Sequence, residues 1–221
     1  MLRESPLPIV PACLDPNEEP IHVEAIANRV HEIFDWMLAR HSKIYFYRFD
    51  LRFPTGRKYP NDNERLMDFI EDYAYALRSR DLDAAYLWAR EQTSLAVPQH
   101  YHFVLLLNGH RTQSVQGHLR LAADVWARTL GLPSPDNLQY DDSEVDSPYA
   151  ELTSSDGLVD FCLRRGRLFP YENGIMIRKD RPDWREVLAY CIEWGMYMAK
   201  QATKSFRPFG VRGFGSSRRH R

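Results

Sequence analysis

No stretch of this chain offers the roughly 20 consecutive apolar residues that a membrane-spanning helix needs. Its apolar runs, Phe103–Leu107 among them, stop after a handful of residues, so no membrane partner is expected. Secretion is not expected, since Pro8 and Pro11 interrupt the apolar part of the first residues and no small-residue cleavage signal follows. Cysteine is scarce. Cys13, Cys162 and Cys191 fit no disulfide or metal spacing, which points to buried thiols in a reducing cytoplasm. Excess charge is missing too: 29 Lys and Arg stand against 30 Asp and Glu, a net charge of −1 that argues neither for nor against nucleic acid. What remains is 221 residues, 44% apolar and 27% charged, enough to fold around a real core as one domain with additions.

Charge is distributed unevenly. Asp141 to Asp160 holds seven acids and no Lys or Arg, whereas Lys204 to Arg221 holds six Lys and Arg and no acid. The tail after 204 mixes Arg, Gly and Phe without helical period, and is expected to form a basic disordered segment over 205–221. Such a segment can hold phosphate through Lys204, Arg207 and Arg212 and stack bases on Phe206, Phe209 and Phe214. It can equally serve as a solvated tail.

Periodicity orders the rest. Residues 1–20 are rich in Pro and acids and read as an irregular arm. Ile26, Val30, Ile33, Phe34 and Met37 predict an amphipathic helix over 22–40. Lys43–Pro54 alternates as a strand, with Tyr45, Tyr47, Phe49, Leu51 and Phe53 on one face and Arg48, Asp50 and Arg52 on the other. A helix over 62–80, strands Ala85–Gln92 and His100–Asn108, and a helix over 116–130 follow. An acidic loop spans about 132–156, a short helix 157–165 and a long helix Asp183–Lys204. Strands interleaved with helices imply α+β with a central antiparallel sheet and flanking helices. The main domain runs over 21–204.

Three features carry chemistry. His100 and His102 lie two apart on a strand, so both imidazoles leave one face and can converge on one divalent ion. Glu91, near the end of the preceding strand, is brought beside them by a hairpin through 92–99. Two neutral imidazoles and a carboxylate suit Mg²⁺ or Mn²⁺ with positions left for phosphate and water. Surface pairing of Glu91 to Arg90 or Arg48 is the competing reading. The third feature is Tyr197-Met198-Ala199-Lys200, which places an ammonium one helical turn from a phenol. A phenol is a poor nucleophile at neutral pH, and a nearby cation favours its ionised form. On the same helix Tyr190, Glu193, Tyr197, Lys200 and Lys204 form a stripe beside the apolar arc of Val187, Leu188, Cys191, Trp194, Gly195, Met198 and Ala202.

Taken in this order, FYRFDLRFP, HYHFVLLLNG and GMYMAKQATK resemble the three motifs of the HUH superfamily of rolling-circle replication initiators. The WAREQ and YMAK segments look most like the YagK/YfjJ-type initiators of inoviruses and prophages. The likeness spans about 43–204, and Tyr101 is bulkier than the usual middle residue. The resemblance implies an RRM-like HUH topology and one bound Mg²⁺ or Mn²⁺ held by Glu91, His100 and His102. It implies site-specific nicking and strand transfer on a single-stranded DNA origin in a bacterial cytoplasm, with a host helicase and polymerase as further partners. Tyr197 would be the nucleophile, assisted by Lys200, with Glu193 one turn earlier placed to activate a water for the closing step. Arg48, Arg52, Lys204, Arg207 and Arg212 would touch DNA.

Two rival readings stand beside this one. A non-catalytic nucleic-acid-binding or regulatory protein would keep the fold and the basic tail and make no covalent adduct. A zinc hydrolase would have to gather His100, His102, His110 and His118, whose spacings match no recognised zinc site.

Overall fold

In the computed structural model, residues 20–92, 98–112, 115–135, 138–140, 152–154, 158–162, 173–202 and 208–217 are described. The irregular arm expected over 1–20 lies outside them up to residue 19. The periodic segments become the long elements: α1 (Pro20–Arg40), β1 (Lys43–Leu51), α2 (Glu64–Arg78), β2 (Ala84–Glu91), β3 (His100–Asn108), α3 (Val115–Thr129) and α4 (Trp184–Ala202). Five short strands complete the described chain: β4 (Leu138–Tyr140), β5 (Leu152–Ser154), β6 (Val159–Asp160), β7 (Ile175–Arg178) and β8 (Phe214–Ser216). All pair antiparallel in one sheet ordered β4-β5-β6-β1-β3-β2-β8, with β7 also on β1. The fold is α+β. No described helix is long and apolar enough to cross a membrane.

Alternation along β1 sorts the layers. Tyr45, Tyr47, Phe49 and Leu51 join Leu66, Phe69, Tyr73 and Leu77 of α2 and Leu119, Val125 and Trp126 of α3 in one core. Ile44 and Phe46 face the other way, against Ile26, Val30, Phe34 and Met37 of α1 and Cys191, Trp194 and Met198 of α4. Each core follows from a period of two on the strands meeting a period near 3.6 on the helices. The helices α1 and α4 come close at Gly195, where a Cβ would lie 3.1 Å from Val30 Cγ1.

Four expectations change. The predicted short helix over 157–165 is instead, at Val159–Asp160, a strand paired to Asp50 and Leu51. Within the expected acidic loop, 138–140 and 152–154 pair as strands, while 141–151 lie outside the described residues. The tail is not disordered at 208–217. There β8 pairs with Leu87–Ala89 of β2, and the Arg90 N–H donates to the Gly213 carbonyl at 2.7 Å. Gly215 permits this contact, because a Cβ there would sit 2.8 Å from the Trp88 indole. Last, Tyr190 belongs to the buried core beside Trp194 and not to an outward stripe.

One edge of β1 is shared. β7 covers Lys43–Phe46 and β6 covers Asp50–Leu51. The gap between them is closed by a side chain: Asn173 accepts from the Arg48 N–H at 3.0 Å and donates to the Arg48 carbonyl at 2.7 Å. A carboxamide thereby does the work of a strand partner and fixes the backbone at residue 48.

Candidate metal centre and tyrosine

The hairpin from β2 to β3 sets Glu91 opposite His100 and Ala89 opposite His102, and β1 sets Asp50 opposite His102 on its far side. Side chains on this face of the sheet therefore meet in a row. The ligand atoms of Glu91, His100 and His102 all lie within 4.8 Å of one another. Glu91 Oε2 is 2.8 Å from His102 Nε2 and 3.5 Å from His100 Nε2. Arg90 and Gln92 point to the opposite face, where the Arg90 guanidinium donates to Gln92 Oε1 and to the 61–63 loop. Surface pairing of Glu91 to Arg90 is thereby set aside.

Sequence alone did not single out Asp50. Its carboxylate accepts from His102 Nδ1 at 2.8 Å, which turns Nε2 toward Glu91 and His100. A carboxylate behind a ligating histidine fixes ring orientation and basicity. Burial disfavours a charged His102, but the Asp50 carboxylate and the hydrogen bonds to Asp50 and Glu91 outweigh it and push its pKa up to about 9. Burial likewise opposes ionisation of the two acids. Hydrogen bonds from His100 and His102 nevertheless hold Glu91 down at about 2, and His102, Arg48 and the Cys162 thiol do the same for Asp50. Cys162 itself stays a thiol, because burial and the Asp50 charge push it well up. The donor set fits a divalent cation: two imidazole nitrogens and a carboxylate oxygen converge, one ring is already braced from behind, and His100 is partly open to solvent.

Tyr197 stands at the edge of this row. Its ring meets His102 edge-on at 6.3 Å between centroids, and 42% of the residue is exposed. Arg48 lies beneath, its guanidinium 4.9 Å from the Tyr197 ring. Glu193 is exposed one turn earlier on α4, and Lys200 follows one turn later. The Lys200 side chain, Lys204 and Arg207 lie outside what the structure describes. Arg212 is exposed before β8, its carbonyl accepting from Asn63. Arg52 is engaged with Asp160 at 2.7 Å.

The four-histidine zinc reading fails on position. His118 stacks on Tyr47 in the core under α2 and α3 and pairs with Thr112, on the opposite face of the sheet. His110 bonds Ser42 in the turn after β3. Among the described residues, the one cluster able to hold a metal is Glu91, His100 and His102.

The family model described as the YagK/YfjJ C-terminal domain matches residues 16–126, about half of the chain. That span carries α1 through most of α3, and with them Asp50, Glu91, His100 and His102; it ends before α4. No curated protein matches the chain. Among solved structures, the chain is similar to the N-terminal nuclease domain of the minute virus of mice non-structural protein 1. The two are 10% identical with a TM-score of 0.34, over 72% of this chain and 79% of that one. A likeness of that size carries no functional argument.

Proposed function

The chain belongs to the YagK/YfjJ C-terminal domain family, and we propose that it initiates rolling-circle DNA replication by nicking a single-stranded origin. The observation that carries this reading is a solvent-accessible tyrosine packed edge-on against a histidine of a convergent Glu-His-His cluster. A tyrosine exposed beside a set of metal-ligand side chains serves no core, and phosphodiester transfer through a phosphotyrosine can use those two parts.

In the proposed reaction the Tyr197 oxygen attacks the scissile phosphorus in line. A P–O bond to Tyr197 forms as the P–O3′ bond breaks, the phenolic proton passes to solvent, and the departing 3′ oxygen takes up a proton. The products are a 5′-phosphotyrosine and a free 3′-OH able to prime synthesis. Glu91, His100 and His102 would hold a divalent cation, which would supply Lewis-acid polarisation of the phosphate. Asp50 keeps His102 turned toward that position. Lys200, a turn beyond Tyr197 in sequence, would favour the phenolate. Glu193 sits a turn before it and would activate the water that resolves the adduct. Host helicase and polymerase would act on the opened strand.

The deciding experiment incubates the full chain with labelled single-stranded origin DNA and Mg²⁺ or Mn²⁺, then separates the products on a denaturing gel. Wild type should yield a covalent protein–DNA band. Tyr197→Phe should yield none while binding the strand within a few-fold of wild type, and Glu193→Ala should accumulate the band. DNA binding without any adduct would leave a non-catalytic binding module.

A further inference from the structure

Arg48 is the least expected residue on the α1/α4 face of the sheet. It is 3% exposed, yet among the described residues no carboxylate bonds its guanidinium and its Nε has no hydrogen-bond partner. A guanidinium keeps its charge and five N–H donors in a protein. Buried without acceptors it is strongly unfavourable, and buried arginine is ordinarily paired. Asp50, two residues along the same face, is the obvious candidate, but its carboxylate is taken by His102 Nδ1 and the Cys162 thiol. Asp160, across the sheet, is taken by Arg52. What meets the Arg48 guanidinium is aromatic: the Trp194 ring at 5.9 Å and the Tyr197 ring at 4.9 Å.

The backbone at this position is fixed by Asn173, which bonds both backbone groups of Arg48, and two rings of α4 flank the side chain. A buried cation whose Nε donor lacks a partner among the described residues, beside an exposed tyrosine, is suited to receive an anion.

We infer that Arg48 is the anion-binding half of this site and that its guanidinium takes a non-bridging oxygen of the phosphate that Tyr197 meets. The inference rests on the reading of the site as one for phosphodiester cleavage, and it assigns the ligand class: a phosphate ester whose ester oxygen lies against the Tyr197 ring. The metal ligands and Arg48 then approach the phosphate from two sides, with Tyr197 between them. A lysine would supply a point charge in place of the planar fork.

The test uses the full chain with phenyl phosphate as probe, in EDTA so that no metal–phosphate contact contributes, read by ³¹P NMR titration. Adduct formation on origin DNA with Mn²⁺ is measured in parallel. Arg48→Met should weaken phenyl phosphate binding at least tenfold and slow adduct formation at least a hundredfold, with circular dichroism matching wild type. Arg48→Lys, which keeps the charge and most of the stem, should lose about tenfold in each and serves if the methionine variant does not fold. Wild-type phenyl phosphate affinity in either variant overturns the assignment, as does a wild-type adduct rate. If wild type binds phenyl phosphate through Arg48 but never forms an adduct, the covalent reading falls and the anion site stands. If adduct forms at the same rate with and without Arg48, the anion site falls and the covalent reading stands.

Discussion

His118 shows how much a single side chain's surroundings decide. It lies on a helix, as the sequence predicts, but buried against Tyr47 with Thr112 as its partner and Nδ1 unbonded among the described residues. Burial, helped by Arg80, pulls its pKa down to about 4. The unfolded chain, with histidine near 6.5, therefore binds more protons than the folded one between pH 6.5 and 4. Stability falls as pH drops through that window and is fully present above it. At about 1.4 kcal/mol per unit the loss approaches about 3 kcal/mol. His118→Phe should flatten the urea-midpoint profile between pH 4 and 7; a parallel profile would mean that His118 does not set the acid limb. The site residues divide by the same logic of surroundings. His100, His102 and Glu91 were legible because a period of two and one short hairpin place them. Asp50 was not, because its meeting with His102 depends on the register between β1 and β3, which no local pattern encodes. Arg48 reads from sequence as a surface cation on the polar face of a strand; only α4 crossing that face buries it.

At the level of elements, the long helices and the first three strands follow from periods sustained over 8 to 21 residues. β6 and β8, two and three residues long, have no period to read and exist because an open edge of β1 or β2 awaits them. The acid-poor, Gly-rich composition around β8 correctly excludes a helix but says nothing about docking. Tyr190 was misplaced for a related reason: α1 and the sheet together cover a wider arc of α4 than one apolar stripe suggests. Because β8 fits over Trp88 only with glycine at 215, Gly215→Val should lower stability by roughly 1–3 kcal/mol, the usual range for overpacking. An unchanged urea midpoint would show that β8 is not held against β2.

For the whole molecule, the Glu91, His100 and His102 cluster that could hold a metal sits in a fold whose two cores do not depend on it. His102 is satisfied on both nitrogens by protein groups, Asp50 and Glu91, and both cores lie outside the cluster. On the proposed reading, chelation with EDTA should therefore stop DNA nicking while leaving the chain folded, and Mg²⁺ or Mn²⁺ should restore it. Metal at a hundred times its dissociation constant should stabilise the chain by about 2.7 kcal/mol, visible as a raised thermal midpoint. Collapse of the near-ultraviolet dichroism in EDTA would overturn this separation of fold from site. The placement of α4 has one more consequence. The chain enters this helix from β7, paired to β1, and after it returns to the sheet in β8, paired to β2, while Gly195 lets the helix lie close on α1. Tyr197 is thus mounted on a helix packed against α1 and the sheet. On the proposed reading, a DNA end joined to it would stay beside the sheet, so an acceptor strand would have to be threaded in to where Tyr197 already stands.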